Sequence, residues 1–249
     1  MMDQPSHAEY HWLWLKGVEQ GYDDNLLTRF PVPAGCQRVD VGGTGVDLQW
    51  GGWLRTLPLL PAGTQVHLYN GQPKAEQRFH AAVVRLDVGK EDLQQCADAV
   101  MRLRAEFQSS FTSRGPIKFL LCSGKTLVYD NNIATRSLYD YLREVYSFAN
   151  TESLAKQLRP VARLSLAQPG DVLITPGAPG HAALVLDIAE NFVTHERYAL
   201  LGQSFMPAQQ FHVLLNKPRL GLGAWYKLED GRPVELPEWT FAPDALKRF

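Results

Sequence analysis

The stretch Pro179-Gly180-His181-Ala182-Ala183-Leu184-Val185-Leu186-Asp187 decides how the rest of the chain is read. Pro-Gly is a turn signal, and the uninterrupted apolar run Ala182 to Leu186 has the length and character of a buried strand. The turn therefore delivers His181 onto the first residue of that strand. There an imidazole can face a cleft while the apolar residues behind it hold the backbone. Gly170-Asp171-Val172-Leu173-Ile174 lies just before, and Tyr198-Ala199-Leu200-Leu201-Gly202-Gln203-Ser204-Phe205 just after. The local order is strand, turn, His-led strand, polar-ended strand. A catalytic base calls for a nucleophile to activate, and Cys96 is the candidate.

The nucleophile's helix is the strongest helical signal in the chain. Leu93, Cys96, Ala97, Val100, Met101, Arg104 and Phe107 recur at helical spacing over 93–108, and Asp92 followed by Gln95 resembles a capping box. Ser137 to Ala149 forms a second amphipathic helix and Ser153 to Leu158 a short third one, ended before Pro160. Strands are expected at 66–69, 81–88 and 117–121, and then at 172–175, 182–188, 198–204 and 211–215. Val39–Val41 and Val46–Leu48 are expected to pair as a hairpin around Gly42-Gly43-Thr44-Gly45, and Gly51-Gly52-Trp53-Leu54-Arg55 to open a short helix. The tail from Trp225-Tyr226 to Trp239-Thr240-Phe241 reads as extended, aromatic and wrapped on the core. Helices in the middle and strands at the end predict an α+β class, with an antiparallel sheet packed against a central helix. Residues 1–29 read as a peripheral segment and 30–249 as a single α+β domain.

Composition narrows the function classes. Of the 249 residues, 45% are apolar and 20% charged, with a net charge of −1 and the signs interspersed. No basic stripe marks a nucleic-acid surface, and no apolar run approaches the length of a membrane span. The chain as given shows no signal peptide, which fits a cytoplasmic protein or the mature form of a periplasmic one. The three cysteines, Cys36, Cys96 and Cys122, cannot all pair, which fits a reducing compartment or one free functional thiol. No metal-ligand spacing occurs among the cysteines and histidines, so neither a metal nor any other cofactor is expected.

A thiol nucleophile works as its thiolate, which a helix N-terminus and a neighbouring imidazolium both stabilise. Cys96 near a helix start, His181 at a strand start and Gln203 at the end of the next strand follow in the order thiol, imidazole, amide. These residues resemble the papain-like cysteine peptidases. In that family a His-Ala segment leads an apolar strand, and the next strand ends in Asn-Ser-Trp, where the Asn orients the His. Here the corresponding segments are His181-Ala182-Ala183-Leu184-Val185 and Gln203-Ser204-Phe205. The resemblance implies a papain-like fold, with His181 as base and Gln203 as orienting amide.

Gly170-Asp171-Val172 and Gly180-His181 also resemble the NlpC/P60 and CHAP-type amidase branches. As a whole, residues 30–249 look like an uncharacterised bacterial family known as a domain of unknown function. Leu93-Gln94-Gln95-Cys96-Ala97-Asp98-Ala99-Val100, Pro179-Gly180-His181-Ala182, Gln203 through Gln209 and Pro237-Glu238-Trp239-Thr240-Phe241 carry that likeness. The expected activity is that of a cysteine hydrolase or acyltransferase acting on an amide in a peptide or a peptidoglycan-like stem. Cys96 attacks, His181 moves the proton, and Gln203 orients the ring, with Ser204 as its nearest competitor. The N–H of Cys96, together with Gln94 or Gln95, serves the oxyanion. The alternative is a catalytically inactive papain-like domain that binds a peptide or a cell-envelope partner.

Other residues admit plainer readings. Cys96 also fits a buried core thiol. Cys122 ends a strand, and Cys36 lies in a lead-in loop. Asp171 and Asp187 are alternative orienting carboxylates; residue 187 shares the face of His181 by strand parity but lies about 20 Å along the strand. Asp98 is expected to face solvent or to pair with Arg102, four residues on.

Overall fold

The computed structural model describes residues 13–15, 24–41, 46–110, 115–216 and 222–249. In chain order, α1 (Leu26–Arg29), β1 (Gln37–Arg38), α2 (Val46–Arg55) and β2 (His80–Val83) lead to α3 (Cys96–Ser109). Then come β3 (Ile117–Leu120), β4 (Thr126–Tyr129), α4 (Leu138–Phe148), α5 (Thr151–Gln157) and β5 (Arg159–Pro160). From residue 172 the regular elements are strands: β6 (Val172–Thr175), β7 (His181–Glu190), β8 (Arg197–Gln203), β9 (His212–Leu214), β10 (Trp225–Leu228), β11 (Val234–Glu235), β12 (Thr240–Phe241) and β13 (Leu246–Arg248).

The fold is mixed α/β with antiparallel sheets. The main sheet runs β2-β9-β8-β7-β6-β13-β5, with β1 also paired to β7 and β10 to β8. Its central strand is β7, all of whose residues but the last are buried. Up to the middle of β7 the side chains alternate between two cores. Ala182, Leu184 and Leu186 belong to the core shared with α2, α3 and α4. Ala183 and Val185 belong to the core on the other face, with Leu201, Tyr226 and Phe241. The helix carrying Cys96, α3, packs against β7 and β8.

The register shifts between Val185, opposite Leu201, and Asp187, opposite Leu200. Two residues on β7 thus face one step on β8, which is a β-bulge, and the alternation reverses beyond it. Ile188 accordingly lies in the core of the odd-numbered residues and Ala189 in the helix-side core. The simple parity that put Asp187 on the face of His181 therefore fails. Asp187 instead meets Arg55 of α2 and Arg38 of β1, each at 2.7 Å.

Local signals explain the helix ends. The Ser137 hydroxyl accepts the Asp140 N–H at 3.1 Å and starts α4. The Asn150 side chain accepts the N–H groups of Glu152 and Ser153 and starts α5. Both are N-cap bonds that satisfy otherwise orphaned helix donors. Tyr141, Leu142, Val145 and Tyr146 form the buried stripe of α4.

Three expectations are corrected. Val46–Leu48 opens α2 and does not pair as a strand with Val39–Val41, and Gly51–Arg55 is the second half of that helix. The reason is aromatic packing at helical spacing. Trp50 and Trp53 stack at 5.3 Å, and Trp50 meets Phe107 of α3 at 5.0 Å, so a strand at this point would split a buried cluster. The turn read at Gly42–Gly45 lies outside the described residues. Residues 66–69 make only isolated bridges, His67 to Pro73 and Leu68 to Gln209, although Gly71 does turn the chain with φ +81°.

Of the N-terminal segment, 1–12 and 16–23 lie outside the described residues. Leu26 is buried, and the Trp14 indole N–H donates to the Arg85 carbonyl at 2.7 Å. Among the described residues no helix is long and apolar enough to cross a membrane.

Candidate active site

The turn before His181 closes so tightly that only glycine fits at residue 180. A Cβ there would lie 2.3 Å from Thr151 Oγ1 and 2.4 Å from the Gly177 carbonyl oxygen. Thr151, the first residue of α5, donates its hydroxyl to that same carbonyl at 3.2 Å. His181 then pairs with Thr175 and begins β7. Its ring is fully buried, with Phe205, Trp239 and Phe241 at centroid distances of 4.8, 5.3 and 5.7 Å. The Trp239 indole N–H donates to Thr175 Oγ1 at 3.2 Å, which holds that wall in place.

His181 Nε2 lies 2.7 Å from Gln203 Oε1. Among the described residues its buried Nδ1 has no hydrogen-bond partner. Burial pulls the imidazole down to about 4, against the Gln203 bond, and the Lys74 charge adds to the fall.

Cys96 is the first residue of α3. The helix starts later than the expected 93 because Asp98 turns back and accepts the Gln95 N–H at 3.1 Å. Asp92 accepts instead from Gln95 Nε2 and from the Ala208 N–H. Asp98 is buried, which corrects its expected place at the surface or beside Arg102, and burial raises its carboxyl well above the usual range. Arg102 binds Asp87, Gln94 and Glu106 instead.

The backbone N–H groups of Ala182, the residue after His181, and of Ala97 and Cys96 at the helix start favour the Cys96 thiolate. Burial nevertheless pushes the thiol up to about 11, and the Asp98 charge adds to the rise. In this closed arrangement thiol and imidazole are both neutral, unlike the ion pair expected from the sequence. They make no hydrogen bond to each other.

The structure gathers Cys96, His181, Gln203 and Ser204 around the start of α3 and the ends of β7 and β8. Ser204 is buried and donates to the carbonyls of Gln209 (2.8 Å) and Gln94 (3.3 Å), so it ties β8 to the loop before α3. Both candidate oxyanion amides are engaged elsewhere. Gln94 Oε1 accepts from Arg102 at 2.8 Å, and Gln95 Nε2 donates to Asp92 at 3.1 Å. Asp171 is bound by Arg248, and Asp187 by Arg38 and Arg55, so neither carboxylate orients His181. Cys122 is exposed and Cys36 partly buried. Among the described residues no group of three His, Cys, Asp or Glu is placed to hold a metal ion.

Residues missed in the sequence complete the surroundings. Gln203 Nε2 donates to Glu238 Oε2 at 3.0 Å, and Lys74 Nζ donates to the same oxygen at 2.6 Å. The available signal was Pro237-Glu238-Trp239-Thr240-Phe241, which stood out as a motif without a role. Trp239 and Phe241 wall the imidazole, and Glu238 holds its amide partner.

Comparison with curated proteins and comparison with solved structures each give no match. The family model described as domain of unknown function (4846) matches residues 26–136 and 129–248. That covers nearly the whole chain, and the protein belongs to this family.

Proposed function

We propose that the protein is a papain-like cysteine hydrolase or acyltransferase acting on an amide bond in a peptide or peptidoglycan-like substrate. The observation that carries this reading is the placement of Cys96. It is the first residue of a helix packed on β7, the strand that begins with an imidazole held by Gln203. In this mechanism the Cys96 thiol passes its proton to His181 Nδ1, the ring nitrogen without a partner among the described residues. The thiolate attacks the amide carbon, and N–H groups at the start of α3 receive the developing oxyanion. His181 returns the proton to the departing amine, leaving a thioester on Cys96. Water or a second amine then attacks the thioester, with His181 again taking the proton. Gln203 holds the ring throughout. Cys96 is 4% exposed and His181 0%, so substrate binding must displace the side chains that cover them.

A second reading, a papain-like module that binds a peptide or envelope partner without catalysis, is favoured by one observation: the resting pair is neutral and sealed. Peptide and peptidoglycan-fragment probes carrying a vinyl sulfone, read by intact mass and peptide mapping, separate the two. Catalysis requires recognition-driven labelling of Cys96 that disappears in His181→Ala. Probes that bind without modifying Cys96 support the second reading, and labelling confined to Cys122 overturns the first.

A further inference from the structure

Glu238 has a role that neither the helix nor the two central strands supply. A glutamine amide presents an acceptor at one end and a donor at the other, and its two orientations fill the same space. Which end of Gln203 meets His181 is therefore decided by what the other end meets. That partner is the Glu238 carboxylate, which only accepts hydrogen bonds. The amide nitrogen must point at Glu238, so the amide oxygen must point at His181 Nε2, as observed at 3.0 and 2.7 Å. An oxygen at 2.7 Å in turn requires the proton to sit on Nε2, and in the neutral ring that places the lone pair on Nδ1.

Glu238 is itself held. Lys74 Nζ donates to the same Oε2 that receives Gln203, at 2.6 Å, and the side chains of Lys74 and Glu238 are only 10% and 16% exposed. Lys74 also lies over the Phe205 ring, 5.9 Å from its centroid, and Phe205 packs on His181. The relay Lys74–Glu238–Gln203–His181 spans three parts of the chain distant in sequence and ends on one ring nitrogen.

We infer that Glu238 is a positioning residue whose carboxylate, anchored by Lys74, sets the Gln203 amide and thereby keeps His181 in the tautomer with a basic Nδ1. The consequence for catalysis rests on the reading of His181 as the base. The tautomer itself does not, so it is measured on the free protein with no substrate.

The experiment is nitrogen NMR of the full chain labelled at histidine, at neutral pH, with circular dichroism and thermal melting as a check on folding. In the native protein His181 shows a pyrrole-type Nε2 and a pyridine-type Nδ1. Glu238→Gln keeps an oxygen where Lys74 and Gln203 converge, so the signature is retained. Glu238→Ala removes the acceptor and frees the amide to turn, so the single tautomer is lost and both appear.

The paired swap Lys74→Glu with Glu238→Lys keeps the ion pair but offers Gln203 a donor. The amide then turns over and the proton moves to Nδ1. A merely structural ion pair would leave the tautomer alone in that variant. A native protein with its proton on Nδ1 overturns the inference, as does a folded swap variant with an unchanged ring. If the swap variant does not fold, an unchanged single tautomer in Glu238→Ala overturns it. Recognition-driven labelling of Cys96 is scored separately, so the tautomer result stands or falls without the hydrolase reading.

Discussion

Gln203 reaches from the last residue of β8 to His181 at the first residue of β7, and their side chains meet at 2.7 Å inside a wall of aromatic rings. The contact holds the imidazole in a place where it is hard to charge. His181 is drawn down to about 4 and the buried His212 to about 3, in both cases by burial first. Each histidine binds its proton more readily in the unfolded chain than in the folded one. The stability this represents is complete above about pH 6.5 and is lost as the pH falls toward those lower values. For His181 the loss between pH 6.5 and 4 is roughly 3 kcal/mol. Buried Asp98, raised by burial, contributes a slope of opposite sign, so a difference measurement is needed. In urea unfolding, His181→Gln should lose roughly 2 kcal/mol less than the native protein between pH 7 and 4.5. Equal losses would mean that His181 titrates normally in the fold.

Cys96 is 4% exposed with its thiol near 11, while Cys122 is exposed. At pH 8 only about one Cys96 in a thousand is thiolate in the closed form. Iodoacetamide should therefore label Cys122 first, and Cys96 at least tenfold more slowly until denaturant is added. Peptide mapping of a labelling time course checks the order. Cys96 reacting first in the free protein would mean that the site opens readily in solution.

Gly180→Ala forces a methyl group against the Gly177 and Thr175 carbonyl oxygens, at 2.4 and 2.9 Å, and against Thr151 Oγ1. The hydroxyl can rotate away, but the two carbonyls belong to the turn itself. The expected cost is about 2 kcal/mol, read by urea unfolding. The shifted turn should also move the His181 ring resonances. Unchanged stability together with unchanged resonances would show that the turn can relax without moving the imidazole.

Asp187→Ala leaves Arg55, which is 7% exposed, with no carboxylate at its Nε, and removes the Arg38 contact as well. Breaking a buried pair from one side costs about 3–5 kcal/mol, so the midpoint of urea unfolding should fall sharply. The double change Arg55→Met with Asp187→Leu should recover much of the loss, because only Arg38, which is partly exposed, is then left without its carboxylate. A loss under about 1 kcal/mol for Asp187→Ala would place this pair with exposed ion pairs.

The elements legible along the chain are those whose causes lie within a few residues. Ser137 caps α4 through a side chain three residues from its partner, the buried stripe of α4 repeats at helical spacing, and Ala182–Leu186 is apolar enough to be a central strand wherever it pairs. The same local logic singled out His181 and Gln203. Longer-range packing decided the rest. Val46–Leu48 became helix because α2 stacks Trp50 and Trp53 on Phe107 of α3. The bulge at Val185–Asp187 was hidden, because register is a property of two strands. Lys74 and Glu238 stand far from His181 in sequence and belong to its site only because the tail returns over the ends of β7 and β8. The charge state of Cys96 and His181 was the least legible feature. Residue type and spacing suggest an ion pair, but burial penalises both charges, and burial is established only once the whole chain has packed.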